Sequence, residues 1–285
     1  MMIDRRTFLL TASAFAATPA FAKDVHPALL AYERDSGGRI GLYARNLVSG
    51  AELAWRDVER FVMCSTFKAS LAACVLARVD HGKDRLDAMI AYTEKDLLAY
   101  APVAKENLAK GALSVGDMAK AIVELSDNTC ANLLLARIGG PKALTRFWRD
   151  NGDVTSRLDH NEPALNRTPP GRVEDTTTPR AMALTLEHLA LGDALQPRSR
   201  AQFVDWMVNC KTGANRLRAG LPSSWKIGDK TGNNGKDAAG DIAVVWPAPD
   251  RPVIIAAYTR GGAPTASQLE TVFKAIGEMV GRELG

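Results

Sequence analysis

Histidine and cysteine are scarce in this chain: each occurs four times in 285 residues. His26, His81, His160 and His188 lie far apart, with neither a His-x-His nor a His-Glu-x-x-His spacing, so the sequence offers no zinc ligand set. Cys64, Cys74, Cys130 and Cys210 lack the spacing of a small disulfide framework, and none of their three possible pairings is favoured. Neither sign of charge dominates. The 36 Lys and Arg against 32 Asp and Glu are scattered rather than gathered in runs, which argues against a nucleic-acid partner. No segment offers the roughly 18 uninterrupted apolar residues of a transmembrane span. Repeats and low-complexity linkers are missing too, as is the strand-helix alternation of a parallel sheet.

What is present is an ordinary globule, 46% hydrophobic and 24% charged, long enough for one large domain or two intimate ones with a cleft between them. Residues 1–22 read as an address: Arg5 and Arg6, an apolar stretch from Phe8 to Ala17, and Ala20-Phe21-Ala22 as a cleavage pattern. The string D-R-R-T-F-L-L resembles a twin-arginine export signal, the alternative being a general secretory signal with two arginines. The expectation is an exported, periplasmic protein without a membrane anchor.

Periodicity predicts a helix over 24–35, then strands over Arg39–Val48 and Glu52–Arg56. A helix is expected from Ser65 to Val79, with Cys74 on its buried face and Gly82 as its stop. Further helices are expected over 114–125, 129–138, 141–151, 179–191 and 198–208, interrupted by a long loop from Arg157 to Thr178. Strands return at Trp225–Thr231, Asp241–Trp246 and Pro252–Thr259, before a helix over 265–283. Strands at both ends imply an α+β fold: an antiparallel sheet of about five strands with flanking helices, completed by both termini, plus an inserted helical lobe. The lobes are drawn at 23–62 with 209–285, and at 63–208 with the loop 157–175.

Four short motifs carry chemistry. Ser65-Thr-Phe-Lys68 puts an amine one helical turn from a serine hydroxyl, at a helix N-terminus where an oxyanion would be stabilised. Ser223 to Lys226 repeats the pattern but follows Pro222 into a strand, so the helical juxtaposition is lost. Ser126-Asp127-Asn128 reads alone as a helix cap. Lys230-Thr231-Gly232 ends a strand, where lysine and hydroxyl could face a carboxylate and glycine allows close backbone approach. Its duplicate, Lys211 to Gly213, follows a helix and reads as a stop. Glu162 and Asn166, four residues apart on the long loop, could hold and activate a water; alone, Glu162 reads as a solvated loop carboxylate.

Together, S-x-x-K, S-D-N and K-T-G in this order match class A β-lactamases and penicillin-binding proteins. The chain resembles class A serine β-lactamases over essentially its whole mature region, as in R-F-V-M-C-S-T-F-K, L-S-D-N-T-C-A-N-L-L-L, E-D-T-T-T-P and W-K-I-G-D-K-T-G. The resemblance implies that Ser65 attacks the lactam carbonyl, with Lys68 or Glu162 as acylation base, and that the N–H groups of Ser65 and Asn233 hold the oxyanion. It implies that Ser126 protonates the leaving nitrogen, and that Lys230, Thr231 and Arg216 bind the substrate carboxylate beside Gly232. Asn128 would contact the acylamide side chain, Tyr100 would form an aromatic wall, and Glu162 with Asn166 would prime the deacylating water. No cofactor or metal is implied, the partner is a small-molecule β-lactam, and a monomer is expected.

Three positions depart from the family. His160 stands where relatives usually carry an arginine that pairs with the aspartate here numbered 175; a His160–Asp175 pair is expected instead, with Glu174 adding a like charge beside it. Cys64 resembles the cysteine that carbapenem-hydrolysing relatives bridge to a cysteine after K-T-G, but Asn234 occupies that place, so the bridge cannot form there. Asn233 replaces the more usual small or hydroxyl side chain, which leaves substrate range open. The rival readings are a penicillin-sensitive D,D-peptidase, a non-hydrolytic β-lactam sensor and an S-x-x-K esterase.

Overall fold

Strands from the two flanks of the described chain build one five-stranded sheet, whose central strands, Ala239–Trp246 and Val253–Arg260, are buried on both faces. The structure, a computed structural model, describes residues 26–285, so the export signal expected over 1–22 lies outside the described residues. Helix α1 (Pro27–Ser36) leads into β1 (Arg39–Asn46), β2 (Glu52–Trp55) and the short β3 (Phe61–Val62). The middle of the chain runs α2 (Phe67–Asp80), β4 (Met89–Ala91), α3 (Pro102–Glu106), β5 (Ala112–Ser114), α4 (Val115–Glu124), α5 (Asn128–Ile138) and α6 (Pro141–Asp150). After the long loop come β6 (Thr176–Thr177), α7 (Pro179–Ala190), α8 (Pro197–Val208) and α9 (Leu217–Gly220), then β7 (Lys226–Asn233), β8 (Ala239–Trp246), β9 (Val253–Arg260) and α10 (Ala266–Glu283).

The sheet order is β2-β1-β9-β8-β7, antiparallel throughout, so β1 from the N-terminal end pairs with β9 from the C-terminal end. The fold is α+β, as expected. Successive strand residues face opposite sides, and the core divides accordingly. Val253, Ile255 and Ala257 of β9 pack with Leu29 of α1 and Phe273 and Ile276 of α10. Ile254, Ala256 and Tyr258 face the other way, into the large core shared with α2, α4, α5, α7 and α8. Here sit the fully buried Phe67, Leu71 and Val75 of α2, the helix that carries Lys68.

The long helices begin and end close to where periodicity placed them, and their caps explain the boundaries. Helix α1 starts at Pro27, later than expected, because proline fits the first turn and His26 caps it. Ser114, Asp127, Thr178 and Thr265 cap α4, α5, α7 and α10 through side-chain oxygens. One expectation is corrected at its first residue: Ser65 lies in a 3-10 turn, Cys64–Thr66, and α2 proper begins at Phe67. Strand β7 also runs two residues further than expected, to Asn233.

Candidate active site

Ser65 is placed by the ribbon that precedes it. Phe61 and Val62 pair with Thr177 and Thr176, and Met63 N–H donates to Asp175 O at 3.1 Å, so the approach to Ser65 and the end of the long loop are tied together. Cys64 then takes a left-handed backbone (φ 46°), which turns the chain sharply into α2. Lys68, one turn on, reaches back: its Nζ donates to Ser65 Oγ at 2.9 Å. The same Nζ donates to Ser126 O at 2.9 Å and Asn128 Oδ1 at 2.5 Å, and lies 3.1 Å from Glu162 Oε1. Lys68 is completely buried, and desolvation pulls its pKa below the ordinary lysine value, against the opposing charge of Glu162.

The Ser-Asp-Asn triplet divides its work. Asp127 is the helix cap, accepting from Cys130 N–H at 2.8 Å and also from Val103 and Ala104 N–H, which fixes α3 against α5. Ser126, again left-handed (φ 60°), and Asn128 turn to the opposite side, toward Lys68. The cap reading therefore holds for the middle residue and fails for its neighbours.

Lys230 approaches from β7, whose alternation turns it toward Ser126 while Asp229 turns to Arg218 of α9 and Thr231 to Thr212. Its Nζ donates to Ser126 Oγ at 3.1 Å and to Thr231 O at 2.6 Å, and burial lowers its pKa to about 8. Gly232 explains the third motif residue: a Cβ there would stand 2.7 Å from Ser65 N and 2.9 Å from Met63 O, so a side chain would push the strand off the nucleophile. Arg216 lies beside this strand end, with its NH1 donating to Gly232 O at 2.9 Å and Gly240 O at 2.8 Å.

Glu162 closes the site from the loop. Its Oε1 is 3.2 Å from Ser65 Oγ, and its Oε2 accepts from Asn166 Nδ2 at 2.7 Å. Asn166 Oδ1 is buried and has no hydrogen-bond partner among the described residues. The backbone of Glu162 is clamped reciprocally by Asn132, whose Oδ1 accepts from Glu162 N–H and whose Nδ2 donates to Glu162 O, both at 2.9 Å. Tyr100 is 51% exposed, and its carbonyl accepts from Asn128 N–H at 3.1 Å.

At the departures from the family, His160 Nδ1 lies 2.6 Å from Asp175 Oδ2, while Asp175 Oδ1 accepts from the N–H groups of Asp159 at 2.7 Å and His160 at 3.0 Å. That bond, with the Asp175 charge behind it, raises the His160 pKa. Glu174 is engaged by Arg172. All four cysteines are free and buried. Cys64 Sγ rests 3.8 Å from Ala238 O, while Asn234 Oδ1 accepts from the N–H groups of Lys236, Asp237 and Ala238 and so shapes the β7–β8 turn. Asn233 is exposed, and its Oδ1 accepts from Gly235 N–H at 2.5 Å.

Ser65, Lys68, Ser126, Asn128, Glu162, Asn166, Lys230 and Gly232 are thus brought around one point, Thr231 and Arg216 flank it, and Tyr100 and Asn233 stand in the open. The duplicate Lys226 is exposed, stacked 5.0 Å over Trp246. Sequence reasoning missed Asn132, although it stands four residues after Asn128 and so shares its helix face. It also missed Thr212, whose Oγ1 lies 2.6 Å from Thr231 Oγ1.

A serine at a helix N-terminus, bonded to a buried lysine and a loop carboxylate on this α+β fold, defines the serine acyl-transfer class. A model of the β-lactamase enzyme family matches residues 22–284. The chain is 44% identical over 256 residues to β-lactamase L2 of Stenotrophomonas maltophilia, covering 90% of this chain and 84% of that protein. It is 43% identical over 254 residues to the carbapenem-hydrolyzing β-lactamase KPC of Klebsiella oxytoca, covering 89% and 86%. Among solved structures it matches an ancestral (GNCA) class A β-lactamase at TM-score 0.85 and 50% identity, over 88% of this chain and 96% of that one. A β-lactamase of Xanthomonas campestris pv. campestris matches at TM-score 0.87 and 47% identity, over 90% and 96%. The chain belongs to the β-lactamase enzyme family, as a class A serine β-lactamase.

Proposed function

We propose that this protein hydrolyses β-lactam antibiotics through an acyl-enzyme on Ser65 and so confers β-lactam resistance. The observation that carries this reading is the position of Glu162: bonded to Asn166 and 3.2 Å from Ser65 Oγ, it can activate a water at the ester that a D,D-peptidase or a sensor would leave intact.

In the first half-reaction Ser65 Oγ attacks the lactam carbonyl carbon and loses its proton to the Lys68–Glu162 pair, both members of which stand within proton-transfer reach. The N–H groups of Ser65 and Asn233 hold the oxyanion, at the positive end of α2. Ser126, between Lys68 and Lys230, donates its proton to the departing nitrogen and is reprotonated from the lysine side. Lys230, Thr231 and Arg216 hold the substrate carboxylate, with Gly232 keeping the strand close. Asn128 meets the acylamide, and Tyr100 forms a wall. In the second half-reaction Glu162 takes a proton from water, whose other hydrogen Asn166 Oδ1 is placed to accept. The hydroxide attacks the ester carbonyl, the acyl C–Oγ bond breaks, and Ser65 Oγ recovers its proton from the Lys68–Glu162 pair.

The protein acts as a monomer exported to the periplasm, with residues 1–22 removed and the lobes 23–62 with 209–285 and 63–208 meeting at the groove. No helix of the described residues is long and apolar enough to cross a membrane. Purified protein mixed with a chromogenic cephalosporin tests the reading. Sustained turnover with a transient mass adduct is expected; a stable stoichiometric adduct without turnover would overturn it in favour of the peptidase or sensor.

A further inference from the structure

Lys211-Thr212-Gly213, expected only to stop a helix, lies against the strand that carries the other Lys-Thr-Gly. Helix α8 does end at Val208, with Cys210 N–H still donating to Met207 O at 3.2 Å. The following residues then cross directly onto β7. A Cβ on Gly213 would stand 1.8 Å from Asp229 Oδ2, so glycine is needed for the loop to come this close. That approach brings Thr212 Oγ1 to 2.6 Å from Thr231 Oγ1 and Cys210 Sγ to 3.3 Å from Thr212 Oγ1. Three protic side chains form one line, ending at the residue assigned above to the substrate carboxylate.

A hydroxyl has a single proton to donate. If Thr231 donates to Thr212, its lone pairs face the groove and repel a carboxylate. If Thr212 donates to Thr231, the Thr231 proton is free for that carboxylate, and Thr212 Oγ1 can in turn accept from the Cys210 thiol. Cys210 is 7% exposed, and burial, with Asp229 nearby, pushes its thiol pKa up, so the S–H proton is retained. A thiol is a weak donor, but hydrogen bonds in a line reinforce one another. The opposite polarity is also definable: a thiol turned to Asp229 Oδ2, which has no partner among the described residues, would draw the Thr212 and Thr231 protons inward. The two polarities have opposite consequences for substrate.

We propose that Cys210 and Thr212 are positioning residues that aim the Thr231 hydroxyl proton at the substrate carboxylate. Their effect falls on recognition of the acid rather than on acyl transfer at Ser65. The proposal rests on the reading of Thr231 as a carboxylate ligand.

The test compares kcat/KM for a penicillin and for its methyl ester, which keeps the lactam and removes the negative charge. Cys210→Ala and Thr212→Val lower the acid-to-ester ratio by about three- to tenfold, the range of one ordinary hydrogen bond's net contribution. Cys210→Ser and Thr212→Ser, which keep a donor, hold the ratio within about twofold of the parent. Loss of folded protein cancels in the ratio, so a merely structural role leaves it unmoved. Thr231→Ala separates the two readings. A ratio that falls in Thr231→Ala but is unchanged or raised in Cys210→Ala and Thr212→Val overturns the proposal alone. A ratio unchanged in Thr231→Ala overturns the carboxylate assignment and the proposal with it.

Discussion

On one wall of the groove, Lys230 and Thr231 ride a strand paired with β8 from Lys226 to Asn233. On the other, Glu162 rides residues 157–175, whose only regular element is the turn Ala164–Asn166. The strand's position is set by main-chain bonds that most side chains leave in place, Gly232 being the exception. The loop is held by side chains: Asp175 gathers three bonds from Asp159 and His160, and Asn132 clamps the Glu162 backbone. Lys230 and Thr231 thus sit on an element that tolerates most substitutions, whereas Glu162, the deacylating base of the proposed mechanism, depends on a few side-chain partners. Single changes should therefore separate the two half-reactions.

The largest effect is expected at Glu162 itself. Glu162→Ala should lower kcat by about a thousandfold, within the span of general-base removal, and let acyl-enzyme accumulate by intact mass. Unchanged steady-state turnover would remove Glu162 from deacylation and the contrast between the walls with it. Asp175→Ala comes next. It deletes the acceptor of three bonds at a fully buried site, at about 1 kcal/mol each, so stability should fall by about 3 kcal/mol. Deacylation should slow more than acylation; equal slowing of both would erase the contrast between the walls.

The smallest effect is that of pH on the loop. His160 has its pKa raised above the ordinary 6.5 by the bond to Asp175, so the pair's contribution is complete below 6.5 and is lost as pH rises through the folded value. The imidazole is 54% exposed, so solvent screening keeps this under about 1 kcal/mol. Hydrogen exchange of residues 157–175, normalised to β7 and β8, should show less protection at pH 8.5 than at pH 5.5. Protection that tracks β7 across that interval would remove His160 from the anchoring set.

Legibility followed the length of the signal. The five sheet strands and the long helices repeat their period several times, so they could be read, as could Ser65 with Lys68, whose spacing is one helical turn. The pairs β3–β6 and β4–β5, two and three residues per strand, contain no full period, and what forms them is tertiary contact. The same limit hid Thr212: its motif looked like punctuation because its meaning lies in a strand nineteen residues away. Asn132 was hidden otherwise, as a polar residue inside a helical run that looks solvated until the loop folds over it. His160–Asp175 was readable because a family pattern pointed at both ends, and its geometry follows the expectation.

Among the described residues, four that are not glycine adopt a left-handed backbone, and three of them, Cys64, Ser126 and Asp175, frame the groove. Each such residue costs roughly 1–3 kcal/mol, against a net stability of about 5–15 kcal/mol for a typical domain. Backbone strain among the described residues is therefore concentrated at the groove and held in shape by the rest of the fold, above all the sheet in which β1 pairs with β9. Thermal robustness and catalytic order are set against each other at Cys64 and Ser126, whereas the bonds gathered by the Asp175 side chain serve both. A chain that drifts toward stability at those first two positions would become a sturdier protein and a slower catalyst.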